Sequence, residues 1–277
     1  MDLTMPGLET SIPVVVAGAL GRMGSEVVRT VSSSKHCELI AAIDTAKEKE
    51  GIDIGDAIGI QPLGIPISSD FEGTICSASQ LKSKGTPSRI NKPVLVDFTH
   101  PLVAFKHTRT AIAYGVHPVI GTTGINSKQI KELAEFAQKA EIGTAIIPNF
   151  SVGMVLLQQA AAAASRFYEY AELTESHHNK KADAPSGTCI KTAELMELNR
   201  QIFNSNKIDE MEIIEGCRGG IRKSGLRIHS QRLPGVVAQQ EVMFGSNGET
   251  YKLSHNTIDR SAYMPGVLLT IKKVISL

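Results

Sequence analysis

"IPVVVAGALGRMGSEVVRTVSSS", residues 12–34, is the stretch that decides the fold. Val14 to Val16 form a β-branched run with no polar interruption. Such a run suits a strand covered on both faces, as in a parallel sheet; strict alternation would mark a half-exposed strand. Gly18, Gly21 and Gly24 follow, spelling GxxGxxG, a variant of the dinucleotide fingerprint. Beyond them Val27, Val28 and Val31 recur at helical spacing. The next apolar run, "CELIAAID" at 37–44, reads as a second buried strand ending on an acid, Asp44. Together these make a β-α-β unit. Gly18 and Gly21 would let backbone approach a pyrophosphate, at a helix N-terminus that supplies N–H donors and a positive partial charge. Gly24 would allow close helix–strand packing, and Asp44 is placed to accept hydrogen bonds from an adenosine ribose. A tight turn that holds no nucleotide is the competing reading.

The theme repeats downstream. "PVLVDFTHP" (93–101), "HPVIGTTG" (117–124) and "GTAIIPNF" (143–150) read as further buried strands, with a helical pattern at 127–140 between the last two. Strands alternating with helices predict an α/β fold, a Rossmann-like doubly wound parallel sheet. In such sheets ligands sit at the carboxyl ends of the strands. Two further loops fall there: Phe98-Thr99-His100, and Gly121-Thr122-Thr123-Gly124. Either would lie along a nicotinamide ring, and either alone is equally an ordinary turn. The polar stretch 79–93 reads as a loop inside this first domain.

The grammar then changes. The expected boundary is "PNFSVGM" at 148–154, followed by an alanine-rich helix over "MVLLQQAAAAASRFYEYA" (154–171). Asn247-Gly248 between two strand-like runs signals a hairpin, and "GLRIHSQRLPGVV" reads as another strand ending in a turn. We therefore expect a dinucleotide-binding domain over residues 1–150 and a second α+β domain over 151–256, for substrate binding and oligomerisation. The last segment, 257–277, carries Val267, Leu268, Ile271, Val274 and Ile275 at helical spacing and is expected to pack back on the first domain.

Composition bounds the function. A chain of 277 residues, 42% of them apolar, can bury two cores. A net charge of +1 gives no global attraction to nucleic acid or to an acidic membrane, so an anionic ligand must be gripped locally. Cys37, Cys76, Cys189 and Cys217 form no CxxC pair and no zinc spacing, so no metal and no disulfide framework are expected. The opening "MDLTMPGLETSIP" has neither a signal-type apolar run nor the Arg-rich character of a transit peptide. The expected location is the cytoplasm; a plastid form stays open.

The densest chemistry lies in "ESHHNKKADAPSGT", Glu175–Thr188. Ser186 is a candidate N-cap for the helical pattern that follows. Gly187 and Thr188 would then offer backbone N–H groups and a hydroxyl at the positive end of a helix, a site for a carboxylate or phosphate. Lys181 would add a cation. His177 and His178 close a strand-like run, where neighbours point to opposite faces unless the strand has already ended. Taken singly, a histidine pair reads as solvated loop and Ser-Gly-Thr as a simple cap. The combination points to an active site.

In these motifs the sequence resembles the 4-hydroxy-tetrahydrodipicolinate reductase (dihydrodipicolinate reductase) family. "VAGALGRMG", "VDFTHP", "VIGTTG", "PNFSVGM", "ESHHNKKADAPSGT", "IHSQRLPG", "EVMFG" and "SHNTIDRSAYMPGV" carry the resemblance, in order along almost the whole chain. It implies reduction of a small cyclic imine-type dicarboxylate with NADH or NADPH, in lysine and diaminopimelate biosynthesis. It implies that His177 is the general acid or base, that Lys181 is the proton donor, and that His178, Gly187 and Thr188 bind substrate. The cofactor would be lined by Gly18, Ala19, Leu20, Gly21, Arg22, Met23, Asp44, Gly121, Thr122, Thr123, Ile147, Pro148, Asn149 and Phe150. It also implies a homotetramer built through the second domain's sheet. Thr45 and His100 stand where many relatives carry Arg, which leaves the choice between NADH and NADPH open. The alternatives are a semialdehyde-type dehydrogenase of the same architecture, or a catalytically silent NAD(P)-sensing protein that needs the glycine loop but not His177 with Lys181.

Overall fold

The computed structural model describes residues 11–81, 92–205 and 210–277. Most of the loop read at 79–93, and most of the opening segment 1–13, lie outside the described residues. The chain divides into two compact units, residues 1–150 with Tyr263–Leu277, and Ser151–Ala262. The return to the first unit thus falls at Tyr263, whereas the sequence reading set it at 257.

The first unit runs β1 (Ile12–Ala17), α1 (Gly24–Ser33), β2 (Cys37–Ile43), α2 (Ile54–Ala57), β3 (Ile67–Ser68), α3 (Phe71–Ser79), β4 (Val94–Asp97), α4 (Pro101–Ala113), β5 (His117–Ile120), α5 (Ser127–Ala140) and β6 (Ala145–Ile146). The strands form one parallel sheet in the order β3-β2-β1-β4-β5-β6. This is the Rossmann-like arrangement the alternating pattern predicts. β1 explains its own sequence. Val14 and Val16 pack on one side with Val27, Val28 and Val31 of α1. Val15 and Ala17 pack on the other with Ile75 and Ala78 of α3 and Ala111 of α4. A strand apolar on both sides has no solvated face to alternate toward. Each such valine contributes on the order of 1.5–3 kcal/mol of burial.

Register lines up the strand ends. Ala17 pairs with Ile43 and Asp97, Asp97 with Ile120, and Ile120 with Ile146. The loops beginning at Gly18, Asp44, Phe98, Gly121 and Ile147 therefore leave one edge of the sheet together. Asp44 lies just past β2, one residue outside the strand that was read to include it.

The second unit contains α6 (Val152–Ala164), β7 (Tyr170–His177), α7 (Gly187–Glu197), β8 (Gly220–Ile221), β9 (Arg227–Arg232), β10 (Ala238–Ser246) and β11 (Glu249–Thr257). Its mixed sheet has the order β11-β10-β7-β9-β8. Leu157 and Ala161 of α6 and Ala193 and Met196 of α7 cover Leu173, Val242 and Phe244 on one face. The alanine-rich helix is shorter than the sequence pattern suggests. It stops at Ala164, because Tyr170 and Ala171 are taken into β7, opposite Gly245 and Phe244 of β10. Asn247 and Gly248 form the two-residue turn between β10 and β11, with Gly248 at φ +86°. The chain ends in α8 (Met264–Val274), which belongs to the first unit and buries Val267, Ile271 and Val274 with Val14 and Val16.

Candidate active site

At the sheet edge of the first unit, Gly18 sits at φ +75°. A Cβ there would lie 2.8 Å from the Phe98 carbonyl oxygen, so only glycine fits where β1 and β4 release their loops. Gly24 starts α1, and a Cβ on it would fall 1.9 Å from the Gly18 carbonyl oxygen. The close packing that Gly24 permits is thus against the loop itself. Gly21 is exposed and its N–H donates to the Gly18 carbonyl at 2.9 Å. Ala19 is buried, Leu20 and Met23 are half-buried, and Arg22 is exposed. Asp44 is bound into the same loop, accepting from the Leu20 N–H at 2.9 Å and from the Ala46 N–H at 3.2 Å. A tight backbone cradle, a helix N-terminus and an acid tied to the loop fit the pyrophosphate and ribose of a dinucleotide.

The neighbouring loops are held by a residue that the sequence reading passed over. Asp97, at the end of β4, has no exposed surface. Its Oδ1 accepts from the Thr99 N–H (2.8 Å), the Thr99 hydroxyl (2.6 Å) and the Thr122 hydroxyl (3.2 Å). His107 Nδ1 lies 2.8 Å from its Oδ2, and the His107 ring stacks on Phe71 at 3.7 Å. One carboxylate therefore joins the 98–100 and 121–124 loops. The available signal was an acid at the end of an otherwise apolar strand. A Cβ on Gly121 would lie 2.1 Å from the Phe98 ring, so this glycine makes room for an aromatic side chain. Phe98 meets Phe150 at 5.5 Å between ring centroids; Phe150 belongs to the core, and the half-buried Ile147 packs against that core. Pro148 is exposed and Asn149 half-buried, on the segment that follows β6. Thr123 is exposed. His100 is the N-cap of α4 and accepts from the Leu102 N–H at 3.3 Å.

In the second unit β7 ends at His177, so His178 lies beyond the strand and the facing rule does not separate the pair. His177 Nδ1 lies 2.5 Å from Oε2 of Glu175, which has no exposed surface. Arg232 grips the same carboxylate, Nη1 to Oε2 at 3.1 Å and Nη2 to Oε1 at 2.9 Å. Burial lowers the His177 pKa, and the Lys181 and Arg232 cations lower it further; the Glu175 carboxylate opposes this without reversing it. Burial alone would raise the Glu175 pKa, but hydrogen bonds from Arg232, Ser230 and His177 bring it below the usual carboxylate range. The imidazole is thus neutral, beside an ionised acid.

Lys181 Nζ donates to Asp183 Oδ1 at 2.6 Å, and the Lys181 N–H donates to the His178 carbonyl at 3.1 Å. That hydrogen bond from Lys181 is the largest reason why the Asp183 pKa is lowered. His178 Nδ1 is buried without a hydrogen-bond partner. Ser186 caps α7, its hydroxyl accepting from the Cys189 N–H at 3.2 Å. Gly187 is exposed, and a Cβ on it would meet nothing within 4 Å. Thr188 is half-buried, and its carbonyl accepts from Gln158 at 3.4 Å. The sequence reading also missed Glu175 and Arg232 as members of this cluster. A lysine, an imidazole of lowered pKa and, further along the same loop, an exposed helix N-terminus are groups of the kind that bind a carboxylate and move a proton.

Among the described residues no cluster of His, Cys, Asp and Glu could hold a metal ion, and no helix is long and apolar enough to cross a membrane.

Similarity to known proteins runs over both units of the chain. Residues 12–150 match the sequence profile of the dihydrodipicolinate reductase N-terminus, and residues 153–276 that of its C-terminus. The chain is 68% identical over 272 residues to a 4-hydroxy-tetrahydrodipicolinate reductase of Prochlorococcus marinus, covering 98% of this chain and 96% of the other. It is 51% identical to the enzyme of that name from Synechococcus elongatus, covering 95% and 93%. Among solved structures it matches a dipicolinate-bound dihydrodipicolinate reductase from Paenisporosarcina sp. TG-14, with a TM-score of 0.81, 32% identity, and coverage of 97% and 96%. An amine dehydrogenase from Mycobacterium smegmatis, at a TM-score of 0.66 and 14% identity, shares the fold.

Proposed function

The chain belongs to the dihydrodipicolinate reductase family, and from that premise we propose that it reduces 4-hydroxy-tetrahydrodipicolinate to tetrahydrodipicolinate in lysine and diaminopimelate biosynthesis. It is an NAD(P)H-dependent oxidoreductase. The observation that carries the reading is geometric. His177 closes β7 against the buried Glu175 carboxylate, and the loop that follows folds Lys181 back onto the His178 carbonyl at 3.1 Å before it reaches the N-terminus of α7. Dipicolinate bound to the related reductase supports a small cyclic dicarboxylate as the substrate.

Each residue has a task in this proposal. The N–H groups of Gly187 and Thr188 receive one carboxylate at the positive end of α7. Lys181 holds a carboxylate as well, and Asp183 meets that cation in the substrate's place. A bound dicarboxylate displaces Asp183 and leaves the Lys181 ammonium facing the ring as proton donor. His178, half-buried beside Lys181, is assigned to substrate polar groups. His177 is neutral, so it acts as a base or relay through Nε2, the nitrogen that Glu175 leaves free. When bound, the nicotinamide supplies the hydride. Gly18–Met23, Asp44, Gly121–Thr123 and Ile147–Phe150 are the residues proposed to hold it, with the glycine loop on the pyrophosphate. The cytoplasm is the proposed compartment, in keeping with four unpaired cysteines.

The test is nicotinamide oxidation by the purified enzyme, with substrate made in place from aspartate semialdehyde and pyruvate. Substrate-dependent oxidation of NADH and NADPH is expected. NADH binding without turnover would select the sensor reading instead.

A further inference from the structure

Glu175 is an ionised carboxylate with no exposed surface. Burying an unpaired carboxylate is costly, so such a group persists only where donors surround it. The sheet supplies them. Glu175 and His177 are two apart on β7 and share a face. Arg232 sits opposite His177 on the parallel neighbour β9, and its guanidinium reaches diagonally to both Glu175 oxygens. The same guanidinium donates to the Asp183 carbonyl at 2.6 Å, and the Leu233 N–H donates to the His177 carbonyl at 3.0 Å. The end of β9 is thereby tied both to His177 and to the loop that carries Lys181.

Resting on the acid–base role proposed for His177, we propose that Glu175, clamped by Arg232, is the positioning residue of that histidine. An ionised carboxylate only accepts hydrogen bonds, so the imidazole must turn a protonated Nδ1 toward it and present a bare Nε2 to the substrate. A carboxylate alone would favour the imidazolium. Arg232 neutralises Glu175; burial first, and then the Lys181 and Arg232 cations, hold the ring's pKa below the usual imidazole value. The groups facing His177 are Glu175 from its own strand, Arg232 from β9 and Lys181 from the following loop, with Asp183 on Lys181; Gln240, opposite Glu175 on β10, carries no charge. Glu175 exchanges no proton: Nε2 takes one up and returns it, while the Nδ1–H bond to Glu175 holds throughout.

The test is steady-state kinetics on the full-length enzyme with NADH and the same in-place substrate. Glu175→Gln keeps the volume but offers an amide that can donate to Nδ1, which selects the wrong tautomer. Its kcat should fall about a hundredfold with KM nearly unchanged. In a His177→Ala background the same substitution should cost no further turnover. The kcat/KM inflection belonging to His177 should move to lower pH, since the carboxylate that opposes Arg232 and Lys181 is gone. Equal losses in both backgrounds would overturn the proposal, because Glu175 would then act through the fold. Wild-type turnover by His177→Ala alone would instead show that the acid–base reading had failed, and the positioning role with it. Should Glu175→Gln not fold, imidazole 15N shifts decide the matter in the unsubstituted protein, with His177 assigned by its loss in His177→Ala. A protonated Nδ1 and bare Nε2 are expected, and the reverse tautomer sinks the idea.

Discussion

Asp44 braces the glycine loop, and a single substitution tests whether it also binds the cofactor. Its carboxylate braces the glycine loop through the Leu20 N–H, and the proposal also gives it the adenosine ribose. The brace serves either cofactor, whereas the ribose contact serves only the one with a free 2′-hydroxyl. A 2′-phosphate is repelled by the carboxylate, with Lys47 and Lys49 in the following turn to offset that repulsion. Asp44→Ala should therefore weaken NADH more than NADPH in fluorescence titrations; equal losses would remove Asp44 as the ribose ligand. His177 and Lys181 separate in a similar way. His177→Ala should lower kcat by about a hundredfold to ten-thousandfold with little change in KM, because a proton relay is felt mainly in the transition state. Lys181→Ala removes the carboxylate's counter-charge as well as the proton donor, so it should lower kcat and raise KM. The losses should be less than additive in the double variant, measured as a four-enzyme cycle. Near-normal turnover in both single variants would return the cluster to a solvated loop.

Helix α8 is held to its unit by close backbone approach. A Cβ on Gly266 would lie 1.9 Å from the Phe150 carbonyl oxygen, and one on Gly143 would lie 1.8 Å from the Val274 carbonyl oxygen. Alanine in a helix is intrinsically favoured over glycine by about 1 kcal/mol. Forcing a methyl into a filled space costs about 1–3 kcal/mol, and more when the obstacle is backbone. The clash should win. Gly266→Ala is expected to lower the thermal midpoint by roughly 2–4 °C for each kcal/mol lost. An unchanged or raised midpoint in calorimetry would mean that the Phe150 segment yields without cost.

Two properties belong to the molecule as a whole. The face of the second sheet turned away from α6 and α7 carries exposed Tyr170, Met243 and Ile221, among ion pairs such as Arg218–Glu172. We expect this face to pair with another copy of the chain and the enzyme to be a homotetramer. A monomer at every concentration in light scattering would exclude that. The second property is acid lability. Glu197 is held below its usual pKa chiefly by Arg222. Glu172 and Glu175 are held low despite burial, the first by Arg218 and His229, the second by Arg232, Ser230 and His177. The fold binds fewer protons at these sites than the unfolded chain does. The stability they contribute is fully present above the ordinary glutamate value of 4.5 and is lost as pH falls through the lowered folded values. Urea unfolding at stepped pH should show that decline, and a midpoint flat below pH 4.5 would contradict it.

What the sequence determined by itself was local. The apolar run of β1, the glycine loop, the acid after β2, the Asn247-Gly248 turn and the Ser186 cap each depend on neighbours a few residues away. Backbone sterics, capping and periodicity act over that distance, so these features were legible in order. The doubly wound sheet followed, because an unbroken apolar strand repeated between helices has few other ways to be covered. The end of α6 was not legible: helical propensity runs on past Ala164, and only pairing with β10 claims Tyr170 and Ala171 for a strand. Nor was the anchoring of the histidine. Glu175 has the parity of Ala171 and Leu173, which sets it on their face of the strand, but nothing local says which donors meet it there. Its burial depends on α7 and β10, and its counter-charge, Arg232, stands 57 residues away. Asp97 likewise gathers Thr122 from 25 residues downstream. Both carboxylates are buried because strand register brings distant donors to them, and register is set by the packing of whole elements.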